Sequence, residues 1–288
     1  MAFSSRNILV ILVRGLAFRG GGRASQDPSA PLQVSSSPDE QILALRSLQQ
    51  HVIAPARTLG WRVGLAIDVV MPSHLHSAWQ QAKSASGLRA ATIERISETY
   101  RERTQSESMV DMMIWANRTG PAEWGSRSAM LISRADLVFR KPLPLPAPPD
   151  EDGKLMLSHK SLHQKTNLTR CVTMWSELII YVPRRLEPKF TEIVTATANR
   201  QGENLHSMID VPVPGAHPSR ERCATGWVPG CRIGIPELEV RAFAPGANAG
   251  PDSKFSYNPV YYIIGRNQSM TIVPPSKCTM GHSGMGRL

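Results

Sequence analysis

Lysine is scarce in this chain, cysteine scarcer, and a long apolar run is missing altogether. Each shortage closes off a class of protein. Four cysteines in 288 residues (Cys171, Cys223, Cys231 and Cys278) are too few for a disulfide scaffold and show no CxxC spacing for a zinc site or redox pair. No stretch approaches the ~20 apolar residues that a membrane span needs. The longest apolar run, Ile8 to Val13, is shorter than the core of a signal peptide, about 7–15 residues, and Arg14 follows it without a small-residue cleavage site. A buried strand is the expectation there. The compartment stays open, with cytoplasmic and Golgi-associated settings both compatible.

Charge is plentiful but of an uneven kind. The formal net charge is +10, carried by 25 arginines against 8 lysines. Such an excess raises nucleic acid as a partner. The arginines are scattered, however, and no basic run interleaved with aromatics occurs, so nucleic-acid binding is not expected. An electropositive cleft for phosphorylated small molecules fits the composition as well. The 23 prolines and 21 glycines indicate many loops, and no internal repeat is present.

Periodicity then organises the chain. Residues 7–15, NILVILVRG, read as a fully buried strand. A Gly- and Pro-rich loop leads to Ser37-Pro38-Asp39-Glu40, a capping box with Pro at the first helical position. Ile42, Leu45, Leu48 and Val52 continue at helical spacing until Pro55 and Gly60. Residues 61–70, WRVGLAIDVV, return to strand character. Strand, helix, strand makes a right-handed parallel βαβ unit, and ligands in such sheets sit beyond the carboxyl ends of the strands. Those ends are Arg14 and Asp68. Residues 73–117 are expected to be helical in two or three pieces, including LRAATIERISETYRERT. Strands are expected near Ala129, in KLMLSHK, in SELIIYVPRRL up to Pro183 and in KFSYNPVYYIIGR, with a helix over 186–200. The sum is a single α/β domain with a mainly parallel central sheet flanked by helices: a core over 1–200 and an irregular C-terminal extension over 201–288 packing on it.

One segment carries most of the functional signal. In SAMLISRADLVFRKPLPLP (128–146) an apolar strand ends on Arg134-Ala135-Asp136 and leads through Phe139 to Lys141-Pro142-Leu143. Burying such a pair is costly, so it should meet solvent, a partner or a ligand. Strand alternation puts Arg134 and Asp136 on one face. Together with the opening strand and its RGLAFR (14–19), this pattern resembles GT-A-fold nucleotide-sugar glycosyltransferases, including uncharacterised glycosyltransferase-like proteins of algae and protists. The resemblance spans about residues 7–200. In place of the Asp-x-Asp of those enzymes this chain has Arg-x-Asp.

The resemblance implies a Rossmann-like fold, a nucleotide-sugar donor, a carbohydrate or glycan acceptor, and Mn²⁺ or Mg²⁺ on the diphosphate. Asp136 would then be the metal or diphosphate contact, and Arg134 a fixed positive charge standing in for the lost acid. Arg14 and Asp68 would line the donor site. Glu177 and Asp210 are candidate bases for the acceptor hydroxyl, and Trp175 a platform for a sugar or base. A non-catalytic descendant of the same scaffold, binding carbohydrate or protein, is the alternative, and a basic nucleic-acid-associated protein a weaker one. Other arrangements are weaker. His74-x-His76 falls at a helix start where its spacing does not converge, His159 and His163 have no third ligand, GHSGMG lacks the last Gly of a nucleophile elbow, and Gly20–Gly22 lack the lysine of a P-loop.

Overall fold

The computed structural model describes residues 7–18, 38–98, 105–150, 153–158, 160–164, 171–175, 178–198, 209–210, 235–236, 240–243 and 261–263. A seven-stranded sheet organises them. Strand β1 (Ile8–Leu16) lies near its centre, parallel to β2 (Arg62–Val70) on one side and to β4 (Ala129–Arg134) on the other. Beyond β2 comes β3 (Ala91–Ser97), also parallel. Beyond β4 come β9 (Ile179–Pro183), β6 (Leu155–Leu157) and β12 (Val240–Ala242), giving the order β12-β6-β9-β4-β1-β2-β3. Only β9 runs against its neighbours. The molecule is a single Rossmann-like α/β domain.

Helices cover both faces. On one face α1 (Pro38–Leu48), a π-helical turn (Gln49–Ile53), α2 (Ala54–Thr58) and α3 (His76–Ser86) pack on Leu9, Ile11, Val13, Leu65, Ile67 and Tyr181. On the other, α4 (Gln105–Thr119), α5 (Pro121–Trp124) and α6 (Glu187–Ala198) pack on Ile8, Val10, Leu12, Ala66, Met130 and Ile132. Odd and even residues of β1 thus feed two separate cores. This explains why its sequence is apolar without alternation.

Two expectations need correcting. Residues 91–97 form strand β3 rather than helix. The helical spacing of Leu88, Thr92 and Ile96 was a coincidence, and the strand's own alternation is hidden because ion pairs satisfy its charged residues. Glu94 on one face accepts hydrogen bonds from Trp79 Nε1 (2.6 Å) and Lys83 Nζ (2.5 Å) of α3. Arg95 on the other face reaches α4. Pro55 likewise does not end the first helix. The π-helical turn precedes it, and the helical path continues to Thr58, stopping before Gly60 at φ 98°. The proline sits in the first turn of α2, where its missing N–H costs least.

The remaining short strands are β5 (Leu137–Phe139), β7 (Lys160–Gln164), β8 (Cys171–Trp175), β10 (Ile209–Asp210), β11 (Ile235–Pro236) and β13 (Tyr261–Ile263). β7 pairs with β8, β10 with β11, and β13 antiparallel with β5. Strands β12 and β13, beyond residue 200, therefore hydrogen-bond to strands before it.

Two contacts give the fold measurable sensitivities. Trp124 of α5 lies directly on Gly64 of β2, where an added Cβ would stand 2.6 Å from its ring. Gly64→Ala should cost about 1–3 kcal/mol through overpacking, read as a lower urea midpoint at unchanged slope. Tyr181, fully buried, donates its hydroxyl to Asp150 Oδ2 at 2.7 Å. Burial first, and the bond to Asp150 second, push its phenol pKa above the ordinary value of about 10. The unfolded chain therefore ionises first, so stability from the neutral phenol is complete below about pH 10 and is lost as pH rises further. Tyr181→Phe should be less stable than wild type by about 1 kcal/mol at pH 8, and the gap should narrow above about pH 10 in paired urea titrations.

Candidate functional site

The sheet order contains a reversal. From β1 the chain steps to β2 and β3 with α1 and α3 on one face, then returns across the other face through α4 to β4. The sheet order thus reverses between β1 and β4, and ligands of open α/β sheets sit beyond the strand ends at such a point. Register decides what stands there. Arg14 of β1 is the partner of Asp68 in β2 and of Arg134 in β4, and Asp68 is the partner of Arg95 in β3. In-register parallel partners share a face, so Arg134, Arg14, Asp68 and Arg95 form one charged row across four strands. It continues the apolar row of Ile132, Leu12, Ala66 and Ile93 on the α4 side.

The row is tied together by guanidinium–carboxylate pairs. Arg95 donates through Nε to Asp68 Oδ1 (3.0 Å) and through Nη2 to Asp68 Oδ2 (2.5 Å) and Asp111 Oδ2 of α4 (2.7 Å). Its guanidinium carbon also stands 4.9 Å from the centre of the Trp115 ring, a cation–π distance. The hydrogen bond to Asp68 raises the Arg95 pKa, with burial acting in the opposite direction. At the other end Arg134 grips Asp136 by both oxygens, Nε to Oδ1 at 2.8 Å and Nη2 to Oδ2 at 2.5 Å. Asp136 is 1% exposed and Arg14 is 7% exposed. A guanidinium has five N–H groups, and these pairs leave Nη1 of Arg134 and Nη1 of Arg95 without a hydrogen bond among the described residues. Such groups suit phosphate oxygens.

The strand ends are shaped by special backbone. Gly15, directly after Arg14, has φ 103°, and Phe18 has φ 55°, both in the region that favours glycine. After β4, Ala135 and Asp136 form a tight turn into β5, with Ala135 N donating to Arg14 O at 2.9 Å. Asp136 thus reaches the face of Arg134 from a turn rather than from strand alternation.

Four of the residues expected at the site, Arg14, Asp68, Arg134 and Asp136, therefore meet at one edge. Arg95, Asp111 and Trp115 join them without having been expected. Reading residues 91–97 as a strand would have put Arg95 in the row, but the charged residues of that strand hide its alternation. Trp175 closes β8 opposite Lys160, and Asp210 closes β10; neither strand belongs to the seven-stranded sheet. Glu177 lies outside the described residues, two positions before β9, whose Ile179 pairs with Ser133. His163 lies in β7, His159 outside the described residues, and His74 and His76 at the start of α3.

A divalent cation such as Mn²⁺ or Mg²⁺ takes six or more oxygen ligands. Both oxygens of Asp68 and of Asp136 are held by arginines, and no three His, Cys, Asp or Glu side chains converge as ligands among the described residues. This donor set does not fit such an ion. Two concavities among the described residues lie away from the row. One of about 300 Å³ lies at the opposite edge, where Arg127 bridges Asn117 and Glu187. The other, about 530 Å³ and largely apolar, lies between the α1–α2 helix and residues 142–145. The proline-rich segment therefore runs over the helices and not over the row.

The fold and this edge define an α/β domain with a Rossmann-like sheet. Among solved structures it is similar to a nucleoside-diphosphate-sugar pyrophosphorylase from Vibrio cholerae RC9 (12% identity, 67% of this chain and 79% of that chain, TM-score 0.37). It is similar also to a glycosyltransferase involved in the glycosylation of the major capsid of PBCV-1 (9% identity, 67% and 68%, TM-score 0.32). A third is 4-diphosphocytidyl-2C-methyl-D-erythritol synthase from Anaerococcus prevotii DSM 20548 (7% identity, 69% and 79%, TM-score 0.36). No family model and no curated protein matches the chain. These likenesses are too distant to bear on activity. No helix of the described residues is long and apolar enough to cross a membrane.

The ion pairs predict a hierarchy. Asp68→Asn should lower stability by about 1–2 kcal/mol. Asp111→Asn should cost less, because Asp111 is 34% exposed against 13% for Asp68 and solvent screens it. Double-mutant cycles with Arg95→Met in urea melts check the order.

Proposed function

We propose that the chain binds a nucleotide sugar by its diphosphate at the carboxyl ends of β1, β2 and β4 and transfers the sugar to a carbohydrate acceptor. The observation that carries this reading is the register of Arg14 with Arg134 at the point where the sheet order reverses, the place where α/β sheets hold ligands. Arg14 and Arg134 hold the phosphate oxygens, with Asp68 and Asp136 fixing the guanidinium planes. Cationic side chains there take the role that a bridging metal plays in the enzymes the sequence resembles. Glu177 is the proposed base. It takes the proton of the acceptor hydroxyl as that oxygen bonds to the anomeric carbon, and the bond from that carbon to the diphosphate breaks. The nucleoside diphosphate leaves with the electron pair, its charge met by Arg14 and Arg134. Trp175 is proposed to stack on the sugar or base.

A second reading has an observation of its own. Asp136 is buried with both oxygens engaged by Arg134, an arrangement that suits a binding protein on the same scaffold without turnover. Thermal unfolding against UDP, GDP and CDP, each with EDTA or with Mn²⁺, separates the cases. Saturation at 100 times Kd should raise Tm by roughly 5–10 °C for at least one nucleotide, in EDTA as well as in Mn²⁺. Arg134→Ala should abolish the shift. Release of nucleoside diphosphate from the matching nucleotide sugar then distinguishes transfer from binding. No shift with any nucleotide would overturn the reading.

A further inference from the structure

Beneath the charged row, on the opposite face of the sheet, lies one buried amide with two long-range partners. Gln41, in the first turn of α1, is completely buried. Its Oε1 accepts a hydrogen bond from Phe18 N at 2.9 Å, and its Nε2 donates to Ala135 O at 3.0 Å. Phe18 belongs to the segment that follows Arg14, and Ala135 is the residue between Arg134 and Asp136. One side chain thus ties together the segments that leave β1 and β4.

We propose that Gln41 is the positioning residue of the anion site, acting through backbone and not through the ligand. The inference rests on the diphosphate reading for its consequence, though not for its geometry. Ala135 is held twice, its N–H by Arg14 O and its carbonyl by Gln41 Nε2. These two bonds fix the peptide planes on either side of Ala135, and with them the direction in which Asp136 meets the Arg134 guanidinium. The same amide holds Phe18 at φ 55°, a conformation unfavourable for a bulky residue. Only a side chain with an acceptor and a donor on one carbon serves both segments at once. A leucine serves neither. A glutamate serves both only when protonated, because an ionised carboxylate has no hydrogen to give Ala135 O.

That asymmetry supplies the test. Wild type, Gln41→Leu and Gln41→Glu are compared by two readouts. The first needs no ligand: the exchange rate of the Arg134 Nε–H, followed by nitrogen-15 NMR and assigned with Arg134→Lys. The second is affinity for the nucleoside diphosphate that stabilises wild type. Gln41→Leu should speed Nε–H exchange and weaken affinity about tenfold or more. Gln41→Glu should match wild type below about pH 4, where an ordinary carboxyl is mostly neutral, and behave like the leucine variant at pH 8, each compared with wild type at the same pH. That pH dependence separates positioning from a general loss of stability. If Gln41→Leu does not fold, the glutamate variant alone decides. Exchange unchanged from wild type in the folded leucine variant, or in the glutamate variant at pH 8, overturns the proposal. A wild type that binds no nucleotide, with exchange altered in the variants, refutes the diphosphate reading and leaves the positioning role standing.

Discussion

The register of β1 against its two neighbours is the constraint on which the charged edge depends. Arg14 faces Asp68 on one side and Arg134 on the other only because backbone hydrogen bonds fix the three strands in step. A slip by one residue would turn every side chain of β1 to the opposite face. The cost would be large, since both faces of this strand are buried in well-packed cores. Apolar packing far from the site therefore holds the charged row in place. The row adds little holding power of its own, because its pairs are only partly buried.

The row is balanced as well as charged. Arg14, Arg95 and Arg134 stand among Asp68, Asp111 and Asp136, three of each sign. An edge with three bare guanidinium groups at this spacing would repel itself. Carboxylates that take one edge of a guanidinium leave its other N–H groups available, and they orient its plane. The same pairing removes those carboxylates from the oxygen ligands that a hard cation needs. Cation binding and guanidinium ordering thus compete for the same two acids, and in this chain the arginines hold them.

Much of this was legible in the sequence, for identifiable reasons. β1 and β2 announce themselves by apolar runs with no polar interruption, so their ends, and with them Arg14 and Asp68, could be read directly. Arg134 and Asp136 followed from the same logic at β4. β3 could not be read in that way. Its Glu94 and Arg95 are paid for by partners on α3 and α4, contacts that leave no periodic trace in the chain. Missing the strand meant missing Arg95. Gln41 was invisible for a related reason, since nothing local distinguishes an amide that bonds across 94 residues from one on a solvated helix face.

The connection after β5 has a consequence of another kind. Residues 141–150 hold five prolines, and the segment lies along the α1–α2 helix, with Leu143 N bonded to His51 O and Pro146 O accepting from Trp61 Nε1. Leu143 and Leu145 are buried, and each precedes a proline, which biases it to the extended form already in the unfolded chain. Much of the conformational entropy that an ordinary loop would surrender here is absent before folding begins. A long crossing from the charged edge back toward the start of β2 is thereby made with little loss of chain freedom. Replacing its prolines would loosen the unfolded state more than the folded one.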